Sequence, residues 1–99
     1  MLFLVISTPR ADPPSSMRER QKAYWAWLNE RMAEGKVQHI WNKAGRGAVA
    51  IVDLPSNEEL HKLVNQWQEI IPASFEITAL VSKEYQERIA NAGTNPMQL

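Results

Sequence analysis

The sequence of 99 residues contains no cysteine, which excludes disulfide bonds, thiolate metal ligands and a cysteine nucleophile. Eleven basic side chains balance eleven acidic ones, so no net charge attracts nucleic acid or an anionic membrane surface. No apolar run approaches the roughly 20 residues of a membrane-spanning helix. The apolar run that opens the chain has five residues and no basic segment before it, unlike a secretory signal. We therefore expect a cytoplasmic protein with no nucleic-acid or membrane partner.

Motifs that hold cofactors or metals are also missing. The sequence has no glycine-rich phosphate loop and no Gly-x-Ser-x-Gly nucleophile motif. Its two histidines, His39 and His61, fall on different predicted elements, and neither has a carboxylate at ligand spacing. We therefore predict no cofactor and no metal.

The residues that are present indicate one folded domain. A hydrophobic fraction of 44% and a charged fraction of 22% are typical of a globular protein of this length. Apolar periodicity and turn residues predict a strand over 2–8, a helix over 16–34, two strands within 35–53, a helix after Ser56, a strand over 74–81 and a helix over 82–90. This order predicts an α+β, ferredoxin-like βαββαβ fold, with two helices on one face of a four-stranded antiparallel sheet and an extra C-terminal helix.

Capping boxes predict where the two main helices begin. Ser16 with Glu19 and Ser56 with Glu59 each place a hydroxyl and a carboxylate at the required spacing. The first helix should end at Gly35, a residue suited to a left-handed C-cap. Its predicted buried face is formed by Met17, Gln21, Tyr24, Trp25, Leu28 and Met32, with Trp27 at the edge.

The polar residues 8–16 and the C-terminal residues 82–99 complete the predicted organisation. The three prolines after Thr8 predict a loop, which could be a plain connection or the rim of a binding site. Residues 1–81 should form the domain. The short helix after Ser82 has a small apolar stripe, so we expect residues 82–99 to dock on a partner subunit.

Several segments resemble the muconolactone delta-isomerase family. They are the opening Met-Leu-Phe-Leu-Val, Glu34-Gly35, His39-Ile-Trp41, Ala44-Gly45, Asp53-Leu-Pro-Ser56 and Leu60-His61. The resemblance covers residues 1 to about 81. It implies a dimeric α+β barrel, a small apolar pocket between helices and sheet, and proton transfer along an unsaturated lactone without a cofactor. The sequence departs from the family in the first helix, where Ala23 and Tyr24 replace an acidic pair, and after the Ala-Gly turn, where Arg46 and Gly47 stand.

Candidate site residues follow from this comparison and from side-chain chemistry. His39 is the candidate general base, because an imidazole with a pKa near 6.5 needs little adjustment at neutral pH. Tyr24 could donate a hydrogen bond to a developing oxyanion. We expect Arg46 to anchor a substrate carboxylate, and Trp41, Trp25 and Phe75 to contact the substrate. Each of these residues could instead have only a structural role.

The sequence thus predicts a cofactor-independent isomerase or cyclase that acts by proton transfer on a small unsaturated lactone, ketone or polyketide-like substrate. Two alternatives remain open. One is a cofactor-free oxygenase of a biosynthetic pathway, by analogy with similar barrels. The other is a non-catalytic protein that binds a small molecule or mediates assembly. In each case we expect a homodimer or a larger homo-oligomer.

Overall fold

The computed structural model describes residues 1–11 and 14–92, the side chains of residues 14–16 excepted. Seven elements follow along the chain: β1 (Leu2–Pro9), α1 (Pro14–Ala33), β2 (Val37–Asn42), β3 (Ala48–Asp53), α2 (Asn57–Ile70), β4 (Ala73–Leu80) and α3 (Lys83–Asn91). The four strands form one sheet in the order β2-β3-β1-β4, and every neighbouring pair is antiparallel. The predicted α+β, ferredoxin-like fold of the single chain is confirmed.

The two faces of the sheet differ in what covers them. Phe3 pairs with Val52 and Val5 with Ala50 across β1 and β3, and all four are buried beneath the helices. The alternate residues of the same strands are only half-buried, because successive side chains point to opposite faces. We call this second surface the open face; its central residues are Leu2, Leu4, Ile6, Val49 and Ile51.

Helix α1 begins and packs differently from the prediction. It starts at Pro14, so Ser16 lies inside the helix rather than at its N-cap. Proline is favoured at the first position of a helix because its φ angle is already helical. Three residues of the predicted buried face are exposed, namely Gln21, Trp25 at 52% and Met32 at 38%, so their predicted burial is wrong. Trp27 is half-buried instead, with its ring centroid 6.0 Å from that of Trp67 and its indole N–H donating to Gln66 Oε1 at 3.1 Å.

Tertiary packing explains why the buried face of α1 differs from the predicted one. Helix α1 packs against both β2 and α2, so the side chains that face α2 are covered as well as those that face the sheet. The predicted end of the helix is confirmed, since Gly35 has a left-handed φ of 78°.

Helix α2 follows its sequence pattern closely. Ser56 is the N-cap, with its hydroxyl accepting a hydrogen bond from the Glu59 backbone N–H at 3.2 Å. The helix buries Leu60, Leu63 and Trp67. Each of these side chains lies on the stripe that the spacing predicts.

The last strand and helix leave more surface uncovered than expected. In β4, an edge strand, Phe75 is half-buried, but Ile77 on the same face is 45% exposed. Helix α3 is capped by Ser82, whose hydroxyl accepts from the Tyr85 N–H at 3.1 Å, and it has no buried residue. Residues 93–99 of the predicted C-terminal segment, like residues 12 and 13 of the predicted loop, lie outside the described residues.

Within the described residues, no helix has both the length and the apolar character that crossing a membrane requires.

Candidate functional site

A cavity of about 200 Å³ lies between α1 and the turn that joins β2 to β3. We call it the tyrosine cavity. Its lining includes Ser7, Tyr24, Trp25, Lys43, Arg46 and Trp67. The helix, the turn and the end of β1 therefore supply its walls together.

Tyr24 is one of the buried residues that line the tyrosine cavity. Tyr24 is 6% exposed, and its ring packs in a cluster with Trp27 and Trp67, at centroid distances of 6.4 and 5.5 Å. The phenol oxygen is buried and has no hydrogen-bond partner among the described residues. Burial raises the pKa of Tyr24 to about 12, because the phenolate would lose its hydration. The hydroxyl is therefore a neutral donor across the physiological pH range.

The turn between β2 and β3 brings two cations to the cavity. The Lys43 backbone N–H donates to the Gly47 carbonyl oxygen at 2.9 Å and closes the turn. The Lys43 ammonium donates to Thr8 Oγ1 at 3.0 Å, and Arg46 Nη2 donates to the Arg10 carbonyl oxygen at 2.9 Å. These partners are neutral. In the part of the chain that the structure describes, neither cation takes part in an ion pair.

His39 and Trp41 lie outside the tyrosine cavity. Both are exposed and stack on each other, with ring centroids 5.5 Å apart and an angle of 11° between the planes. Their register partners in β3 are Ile51 and Val49, which belong to the open face. The shared face predicted for the two rings is present, but the sheet separates it from Tyr24.

The structure therefore brings together three of the six residues predicted for the site. Tyr24, Trp25 and Arg46 line the tyrosine cavity. Phe75 packs edge-on against Trp67, at 5.2 Å between centroids, and belongs to the core beside the cavity. The roles suggested for these six residues stay predictions.

Sequence reasoning missed Lys43 and Trp67 as lining residues. Lys43 could have been noticed because it stands two residues before Gly45, in the turn that already contained Arg46. Trp67 gave no such signal, since its place in the apolar stripe of α2 indicates only burial.

Metal-binding groups are not assembled in the described part of the chain. No three His, Asp or Glu side chains there lie close enough to share an ion. Nor does any described residue of the cavity lining carry a carboxylate or an imidazole. The chemical groups that the lining offers are a phenol and a serine hydroxyl, two cations, the two amides of Gln21 and Asn42, a thioether and aromatic surface.

Comparison with known proteins gives one family match. Residues 1–93 match the family model of DUF3303, a domain of unknown function. A search of curated proteins gives no match.

Proposed function

The chain belongs to the DUF3303 family, and we propose that it binds a small organic carbonyl compound in the tyrosine cavity. The observation that carries this proposal is the Tyr24 hydroxyl. A buried polar group without a partner is unfavourable, by about 1–3 kcal/mol, and such groups in native proteins call for an explanation. A ligand carbonyl that accepts a hydrogen bond from Tyr24 supplies one.

The size and walls of the cavity favour a ligand with a single ring. An apolar cavity of about 150 Å³ holds one benzene molecule. The tyrosine cavity has about 200 Å³, which accommodates a ring with one or two small substituents. Trp67 and Tyr24 offer aromatic surface inside, and the half-exposed Trp25 offers it at the rim.

The proposal is tested with acetophenone, a ring that carries one ketone. We expect it to quench tryptophan fluorescence in a saturable way, because Trp25 and Trp67 line the cavity. Tyr24→Phe removes only the hydroxyl and should weaken binding roughly tenfold, the effect of one lost hydrogen bond. Ethylbenzene, which lacks the carbonyl, is the matched ligand and should bind both proteins alike. Equal binding of acetophenone to both proteins would refute the role of Tyr24.

A second candidate is the cofactor-free isomerase or cyclase that the resemblance to muconolactone isomerases implies. The same hydroxyl favours it, because a fixed donor at a carbonyl stabilises the dienolate that forms when a proton leaves the neighbouring carbon. His39 is a less suitable base for this reaction, since it lies on the open face and the sheet separates it from the tyrosine cavity. The described cavity lining supplies the donor but no proton acceptor.

Isotope exchange separates the two candidates. A cyclic β,γ-unsaturated ketone is incubated with the protein in D₂O and followed by NMR and mass spectrometry. An isomerase shifts the double bond and introduces deuterium, and Tyr24→Phe slows both changes. A binding protein returns the ketone unchanged. His39→Ala reports on the predicted base, and an unaltered rate in that variant would remove His39 from the mechanism.

We also propose that the open face pairs with a second copy of the chain. Its centre is aliphatic, with Leu4, Ile6 and Ile51 only half-covered, and the stacked His39 and Trp41 border it. Apolar surface of this extent favours association. A second copy suits it because the chain has no net charge to oppose self-association.

A further inference from the structure

We infer that the ligand of the tyrosine cavity carries a carboxylate, which Lys43 and Arg46 hold at the mouth of the cavity. This inference rests on the proposed binding function and narrows its ligand class. Both cations line the cavity, and within the described residues they contact only neutral groups: Lys43 contacts the Thr8 hydroxyl, and Arg46 contacts the Arg10 carbonyl and the Met17 sulfur. Two cations without an ion pair among the described residues, beside a buried neutral donor, fit a ligand that is anionic at one end and neutral at the other.

The depth of the three groups sets the orientation of that ligand. Tyr24 is buried, Lys43 is half-buried and Arg46 is exposed. The carbonyl end therefore points inward to Tyr24, and the charged end stays near solvent, where a carboxylate loses less of its hydration. The planar guanidinium of Arg46 can donate two N–H groups to one carboxylate, and Lys43 adds a compact charge.

Gly47 holds the lysine in this position. Its φ of +107° is in the left-handed region, which disfavours a side chain. A Cβ at residue 47 would also collide with the Lys43 side chain and with the carbonyl oxygen of Ser7. The absence of a side chain lets Lys43 fold back across the turn towards Thr8. Gly47 is thus a positioning residue for the cation.

The test compares the binding of 4-acetylbenzoate with that of its methyl ester, each titrated by tryptophan fluorescence. The pair of 3-acetylbenzoate and its methyl ester is titrated in parallel, because it places the ketone and the carboxylate at a different spacing. We expect the acid of the better-fitting pair to bind about tenfold more tightly than its ester, from charge-assisted hydrogen bonds. Arg46→Gln and Lys43→Gln should each reduce that preference, because each lowers the affinity for the acid more than the affinity for the ester. Lys62→Gln removes an exposed cation outside the cavity lining and should leave the preference intact.

Two further measurements test the placement of the Lys43 side chain by Gly47 and the charge interaction with the ligand carboxylate. Gly47→Ala should lower the ratio of acid affinity to ester affinity as Lys43→Gln does, because its Cβ displaces the Lys43 side chain. Raising the salt concentration should weaken binding of the acid and not of the ester, because screening acts on the charged pair.

The outcomes distinguish this inference from the proposed function. If acid and ester bind the unchanged protein equally and both depend on Tyr24, the carboxylate site is overturned and the binding function stands. If neither compound binds, or if Tyr24→Phe binds both as well as the unchanged protein, the binding function fails and the inference fails with it.

Discussion

Among single residues, Tyr24 combines a favourable and an unfavourable contribution to stability. Its ring packs against Trp27 and Trp67 and is almost wholly removed from water. Its hydroxyl is buried without a partner among the described residues. This combination is expected of a residue whose polar atom serves a ligand, since such groups are retained at a cost in stability.

Tyr24→Phe should therefore leave the protein as stable as before or more stable. The substitution keeps the ring and removes the unpaired hydroxyl, so the free energy of unfolding at pH 7 should be unchanged or rise by up to about 1 kcal/mol. Urea denaturation followed by circular dichroism measures it. A loss of more than about 1 kcal/mol would mean that the hydroxyl has a partner in solution.

The raised pKa of Tyr24 predicts a loss of stability at alkaline pH. In the unfolded chain the phenol ionises near pH 10, whereas in the folded protein it keeps its proton to about pH 12. The contribution of the Tyr24 phenol to the free energy of unfolding is thus fully present below pH 10 and falls by about 1.4 kcal/mol per pH unit between pH 10 and pH 12. Denaturation at pH 9, 10 and 11 should show a steeper decline for the unchanged protein than for Tyr24→Phe. Equal slopes would contradict the raised pKa.

Among the elements, helices α2 and α3 are both capped by serine but differ in how they pack. α2 buries three side chains, including Trp67, and α3 buries none among the described residues. Ser56→Ala should therefore lower the free energy of unfolding by about 1 kcal/mol, because the cap belongs to the cooperative core. Ser82→Ala should change it by less than about 0.5 kcal/mol.

The pair of serine variants also tests the prediction that residues 82–99 dock on a partner subunit. If Ser82→Ala destabilises the protein as much as Ser56→Ala, α3 is firmly packed in solution, and a loss of that effect on dilution would assign the packing to a second copy. The measurement is urea denaturation of both variants at one protein concentration, repeated after a tenfold dilution.

The elements also mark where sequence patterns succeed and where they fail. The i, i+3, i+4 stripe of α2 correctly predicted that Leu60, Leu63 and Trp67 are buried. The stripe of α1 failed at Gln21, Trp25 and Met32, because α1 also packs against α2 and therefore covers Trp27 instead. In β4 the alternation gives the face of Ile77 correctly, but not its exposure.

At the scale of the whole molecule, pairing of open faces predicts a dimer. Light scattering should give a mass near twice the 11.3 kDa of the chain. Leu4→Arg places a charge at the centre of the open face and should give a folded monomer. Ile77→Arg is the matched control, because it adds the same charge to an exposed position on the other face of the sheet. A monomer in the unchanged protein would exclude the barrel.

The sequence by itself determined the order of the elements, the sheet class, the ends of α1 at Gly35 and of α2 at Ser56, and the shared face of His39 and Trp41. These depend on local chemistry: backbone preference, capping and the period of side-chain direction. Only the tertiary structure decided that His39 lies across the sheet from Tyr24, and that Tyr24, Lys43 and Arg46 meet at one cavity. The physical reason is that β3 pairs with both β2 and β1, which fixes which face each residue occupies, and the packing of α1 then sets the cavity between helix and turn.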